Sequence, residues 1–108
     1  MASSLDRTLA ALADPTRRAV VRLLRHKPLR PSEIAEELSS TRPAMSRHLR
    51  ILRRAGLVEQ HPDAHDLRAR AYQLRRAPFS QLRSWIDQVE QLWTVQLSAF
   101  KAHAERRR

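Results

Sequence analysis

Leu38-Ser39-Ser40-Thr41-Arg42-Pro43-Ala44-Met45-Ser46-Arg47-His48-Leu49-Arg50-Ile51-Leu52-Arg53-Arg54-Ala55-Gly56-Leu57-Val58 decides the fold. Met45, Leu49 and Leu52 recur at the spacing of one helix face. Thr41 stands where a side-chain oxygen caps free N–H groups, so a helix is predicted from Arg42 to about Ala55. Gly56, the one glycine in the chain, follows where a left-handed residue closes a helix. Ahead of it, Pro31 to Leu38 reads as a short helix with Ile34, Ala35 and Leu38 inward. Glu33, Glu36 and Glu37 lie outside. Ser39-Ser40-Thr41 is the polar break between the two helices, and the pair forms a helix-turn-helix.

Working outward, Leu5, Leu9 and Leu12 mark an amphipathic helix beginning near Ser4. Asp14-Pro15 opens a second helix, with Asp14 as cap and Pro15 in the first turn. It is predicted to run to about His26, to bury Ala19, Val20, Leu23 and Leu24, and to stop at Pro28. Beyond Gly56 the period changes. Residues 57–60 and 69–74 look extended, and His61-Pro62-Asp63-Ala64-His65-Asp66 is rich in turn formers, so a β-hairpin is predicted over 57–74. Pro78 opens a last helix to about Ala104, roughly 40 Å long. Phe79, Leu82, Ile86, Val89, Trp93, Leu97 and Phe100 form one stripe of it. Trp85, Leu92, Val95 and Ala99 widen the apolar surface beyond one contact. One side is therefore expected to pack on the first two helices and the other on a second chain. Arg106-Arg107-Arg108 is expected to fray.

The 108 residues suffice for one domain. They carry 21 Lys+Arg against 11 Asp+Glu, a formal charge of +10. Residues 42–76 alone hold nine arginines and three acids. That clustering favours a polyanionic partner. Cysteine is absent, which removes disulfides, thiol chemistry and every Cys-based metal site. No apolar run is long enough to span a bilayer, and the first residues lack the order of a signal peptide. A soluble cytoplasmic protein with no membrane partner is expected.

Four helices, the last two forming a helix-turn-helix, then a hairpin, is the order of a winged helix-turn-helix. The fold class is mainly α with a small β-hairpin and a long C-terminal dimerisation helix. Residues 38–58, together with Leu12-Ala13-Asp14-Pro15-Thr16-Arg17-Arg18, closely resemble the corresponding segments of ArsR-type bacterial repressors. The resemblance covers roughly residues 5–75. It implies a homodimeric DNA-binding repressor whose terminal helices form the dimer interface, here Leu5, Leu9, Trp85, Val89, Leu92, Trp93, Leu97 and Phe100. The expected organisation is a single domain over 1–108, with a DNA-binding core at 5–76 and a dimerisation helix at 78–104. The C-terminal segment looks like a metal-independent branch.

A B-DNA major groove accepts an α-helix with its N-terminal residues nearest the bases. Arg42, Pro43, Ser46 and Arg47 are therefore the base-edge candidates. Thr41, His48, Arg50, Arg53 and Arg54 are candidates for phosphate, with Arg68 and Arg70 reaching from the hairpin to backbone or minor groove.

An enzyme is not expected. One glycine cannot build a phosphate loop, and Ser46 and His48, two apart on a helix, point in different directions. His61 and His65 would share a face only on a helix, which Pro62 disfavours. Zinc-binding relatives resemble Asp-x-His-x10-His-x2-His/Glu on the last helix, and here Val89 and Phe100 occupy two of the four positions, so no metal or cofactor is expected. Two alternatives are a small-molecule- or metal-responsive sensor of the same fold, and a basic RNA-binding or structural protein.

Overall fold

In the computed structural model, which describes residues 3–106, helix α1 spans Ser4–Leu12. Ser3 Oγ accepts from the Asp6 N–H at 3.1 Å, and Asp6 Oδ2 accepts from the Ser3 N–H at 3.2 Å. This reciprocal capping satisfies two donors at once. Helix α2 spans Pro15–Leu24, with Asp14 Oδ1 accepting from the Arg17 N–H at 3.0 Å. It stops two residues short of the expected His26. Val20 and Leu24 are fully enclosed, whereas Ala19 and Leu23 are only half-buried on the flanks of that stripe.

Helices α3 (Pro31–Glu37) and α4 (Arg42–Arg54) form the helix-turn-helix. Both end the same way. After α4, the Gly56 N–H donates to Arg53 O and the Leu57 N–H to Leu52 O, each at 3.0 Å, with Gly56 at φ 79°. After α3, the Ser39 N–H donates to Glu36 O at 3.2 Å and the Ser40 N–H to Ala35 O at 2.9 Å, with Ser39 at φ 51°. These are paired Schellman closures, so the polar break is a built turn that carries a non-glycine residue in left-handed backbone. Such a conformation costs an L-residue with a Cβ roughly 1–2 kcal/mol. Ser39→Gly is therefore expected to raise the melting temperature by several degrees, and Gly56→Ala to lower it by a similar amount, ~4–8 °C per kcal/mol. Thermal melts followed by circular dichroism check both signs.

Strands β1 (Val58–Pro62) and β2 (Arg70–Leu74) pair antiparallel, with Val58 opposite Leu74 and Pro62 opposite Arg70. The first strand runs two residues further than expected and includes Pro62, which sits at the strand's end on the outer edge, where a missing N–H is tolerated. The opposite edge of β2 is also occupied. Leu29 exchanges two backbone hydrogen bonds with Tyr72, at 2.8 and 3.1 Å. The α2–α3 connection thus adds a third rung to the sheet. At the hairpin tip, Asp63 Oδ1 accepts from the His65 N–H and Asp66 Oδ1 from the Arg68 N–H, at 2.8 and 3.0 Å.

Val20, Ile34, Met45, Leu49, Leu52 and Leu57 form the centre of the core, each almost wholly enclosed. Thr8 is the one buried polar side chain among the described residues, and its Oγ1 donates to Ser4 O at 3.1 Å. Leu38 is half-buried and packs against this core.

Helix α5 spans Arg76–Arg106, 31 residues, about 46 Å. It starts before Pro78 because the first helical turn needs no intrahelical donors there. Phe79 joins the core and Leu82 is half-buried, while Ser4 Oγ donates to Gln81 Oε1 at 3.2 Å across α1. Residues 83–101 are all exposed. The expected packing of one side of this helix on its own domain therefore holds only for its first two turns, and Ile86 lies outside it. The remainder projects, giving extents of 71 × 31 × 24 Å and a radius of gyration of 19.5 Å. A compact chain of this length has ~13 Å. Arg106 lies in the helix. The expected fraying at Arg107-Arg108 falls outside the described residues. Among the described residues no helix is long and apolar enough to cross a membrane.

Candidate nucleic-acid interface

Helix α4 is held from three sides, by α2, α3 and β1. Thr41 Oγ1 accepts from the Ala44 N–H at 3.3 Å, and Pro43 sits in the first turn, so both ends of the helix are defined. Met45, Leu49 and Leu52 are buried, and the opposite face is open. On a helix with 3.6 residues per turn, Pro43, Arg47, Arg50 and Arg54 point directly away from that stripe. Ser46, Arg42 and Arg53 lie along one flank, and His48 along the other. All of these except His48 are exposed. The structure thus brings the base-edge candidates Arg42, Pro43, Ser46 and Arg47 together on the N-terminal half of α4. Arg50, Arg53 and Arg54 follow on the C-terminal half.

Ile51 is a further member of this face that the sequence pattern does not single out. It is 41 % exposed, between Arg47 and Arg54 on the open face. Its position four residues after Arg47 is the available signal, since i and i+4 share a face.

The electrostatics of the face follow from what its neighbours do. Among the described residues, Arg42, Arg47, Arg50, Arg53 and Arg54 have no ion-pair or side-chain hydrogen-bond partner. The acids of the same third of the chain are engaged elsewhere. Glu59 lies 3.0 Å from His61 Nε2 and 3.8 Å from Arg75 Nε. Asp63 Oδ2 lies 3.4 Å from Arg30 Nε, which also donates to Glu33 Oε1 at 3.2 Å. The His65 N–H holds the Asp63 carboxyl below its ordinary pKa, with Arg30 adding to the effect. The Arg30 N–H does the same for Glu33. Through Arg30, Asp63 and Glu33 tie the hairpin tip to the start of α3, and the α4 arginines are left uncompensated. Arg68 and Arg70 are on the hairpin, Arg70 exposed on β2 and Arg68 exposed at the tip.

His48 stands apart from the other phosphate candidates. It is half-buried, with Nδ1 3.4 Å from Arg17 Nη1 and 3.9 Å from Asp14 Oδ1. The Arg17 N–H holds the Asp14 carboxyl below its ordinary pKa, with the charge of Arg17 contributing less. Arg17 Nε donates to Ala11 O at 2.6 Å, and Arg18 Nη1 to Leu12 O at 2.8 Å. Both arginines of the Leu12–Arg18 motif thus satisfy carbonyls at the C-terminus of α1.

On α5 the exposed residues include Trp85, Val89, Leu92, Trp93, Leu97 and Phe100, and also Ile86 and Val95. Leu9 of α1 is 38 % exposed and Leu5 half-buried. Among the described residues no three His, Asp or Glu side chains are grouped so as to hold a metal ion.

A family model described as a helix-turn-helix domain matches residues 12–61. The HTH-type transcriptional regulator Rv2034 of Mycobacterium tuberculosis is 41 % identical over 97 residues, covering 90 % of this chain and 85 % of the relative. The transcriptional repressor SdpR of Bacillus subtilis is 33 % identical over 57 residues, 53 % of this chain and 63 % of that protein. The crystal structure of the ArsR family transcriptional regulator RHA00566 superposes with a TM-score of 0.75 at 30 % identity, covering 85 % of this chain and 98 % of that one. With the helix-turn-helix, the hairpin and the long last helix in the same order, the chain belongs to the ArsR family of winged helix-turn-helix transcriptional regulators.

Proposed function

We propose that the protein is a homodimeric transcriptional repressor that binds an inverted-repeat DNA site, presenting one α4 to each half-site. The observation that carries this is the set of five exposed, unpaired arginines on the open face and one flank of α4. Phosphate contacts release counterions and supply affinity, while base edges read in the major groove supply specificity. In this reading Arg42, Pro43, Ser46 and Arg47 meet base edges, Thr41, Arg50, Arg53 and Arg54 meet phosphates, and Arg68 and Arg70 extend the contact from the hairpin. A bound dimer blocks other proteins from the same DNA, and the similarity to a protein named as a transcriptional repressor supports repression.

Dimerisation is the second element of the proposal. Residues 83–101 expose two tryptophans, a phenylalanine and several aliphatic side chains along one helix. A continuous apolar surface of that kind marks an interaction site. A second copy presents the same surface by symmetry.

Selection of duplexes from a random pool tests the whole. The expected product is an inverted repeat whose half-sites lie about one helical turn, ~34 Å, or a multiple of it apart. A pool that shows no enrichment, or equal retention of RNA, contradicts the proposal.

A further inference from the structure

We infer that His48 is a positioning residue that sets the roll of α4 through a side-chain joint with Arg17 and Asp14, so that the dimer-side helix α1 and the DNA-facing helix are locked together. The inference rests on the proposed reading of DNA through α4.

Arg17 spans three elements. Its backbone N–H is held by Asp14 Oδ1 at 3.0 Å at the start of α2. Its Nε donates to Ala11 O at 2.6 Å and its Nη2 to Ala10 O at 3.4 Å, both at the end of α1. Its Nη1 reaches His48 Nδ1 at 3.4 Å, in the middle of α4. A guanidinium has donors only. The contact with His48 is therefore a hydrogen bond only when Nδ1 is bare and the ring proton sits on Nε2. Asp14 Oδ1, 3.9 Å from the same nitrogen, lies beyond hydrogen-bond distance.

The apolar stripe of Met45, Leu49 and Leu52 presses α4 onto the core, but apolar contact has no preferred direction. A hydrogen bond does. Placed on the flank of that stripe, His48 resists rotation of the helix about its own axis. A roll of about 20° moves a side-chain tip at ~6 Å radius by about 2 Å. Functional groups must be held within about 0.5 Å of productive geometry, so base-edge contacts do not survive that roll. Flexible arginines still reach phosphates after it. Removing the joint therefore erodes sequence preference more than general DNA affinity.

Two variants separate this from direct phosphate contact and from simple destabilisation. His48→Asn keeps an acceptor, Oδ1, close to the position of Nδ1. His48→Leu removes it. Anisotropy titrations use the duplex selected by the wild type and a scrambled duplex, with melting temperatures measured alongside. His48→Leu is expected to bind the selected duplex about tenfold more weakly and the scrambled duplex within about twofold, with an unchanged salt slope. His48→Asn is expected to stay within about threefold of wild type on both. Nitrogen-15 spectra of the wild-type imidazole are expected to show the Nε2–H tautomer. Equal losses in the two variants overturn the joint, as does an Nδ1–H tautomer. A flatter salt slope with equal weakening on both duplexes makes His48 a phosphate ligand instead and also overturns it. If the wild type itself shows no preference between the duplexes, the DNA reading fails and the joint's role in recognition falls with it. That failure is recognisable because it precedes any substitution.

Discussion

Leu97→Glu is expected to abolish the proposed dimer while leaving the chain folded. Leu97 lies in the projecting part of α5, 57 % exposed, with every residue from 83 to 101 open around it. A carboxylate there lies away from the core of its own chain. Across a symmetric contact it is buried twice, without a partner. An uncompensated buried charge costs about 3 kcal/mol or more, roughly a hundredfold or more in the dissociation constant. Sedimentation should give the wild type at twice the 12.6 kDa chain mass and the variant at the chain mass. The far-ultraviolet spectrum should be retained. DNA affinity should fall as well, because the second half-site no longer benefits from a tethered partner. A wild type that is monomeric at micromolar concentration contradicts the interface.

The second large effect concerns α4 itself. Arg47→Ala removes a fork that points straight out from the N-terminal half of the helix. A bidentate guanine contact is worth ~1–3 kcal/mol per half-site, so a symmetric site is weakened by about twice that and gives up its preference at one base pair in each half. Arg54→Ala, on the same open face but at the C-terminal end, should weaken selected and scrambled duplexes alike. It should also reduce the slope of log K against log salt by roughly 1 for each phosphate that the side chain no longer neutralises. One titration series across salt concentrations separates the two. If Arg47→Ala weakens both duplexes equally, the base-edge role of Arg47 fails.

The helix-turn-helix was legible because local signals agreed there. Thr41, the Met45–Leu49–Leu52 period and Gly56 each mark α4 without reference to the rest of the chain. Ser39 was not, since left-handed backbone is foreseen from glycine and the turn after α3 has none. The rung between Leu29 and Tyr72 is a single residue and has no period to detect. Arg17 and Arg18 carry charge that composition assigns to a polyanion, yet both are occupied by α1 carbonyls six or seven residues away, an arrangement made only once α1 and α2 pack. Helix α5 was legible as a helix but not in its packing. Its apolar residues surround too much of its circumference for periodicity to tell the core side from the open side.

Titration of the selected duplex, with the stoichiometry read by native mass spectrometry, bears most directly on DNA recognition by a dimer. Two chains per duplex are expected, with a preference of about a thousandfold or more over a scrambled sequence at physiological salt. One chain per duplex, or equal affinity for the two sequences, is the contradicting result.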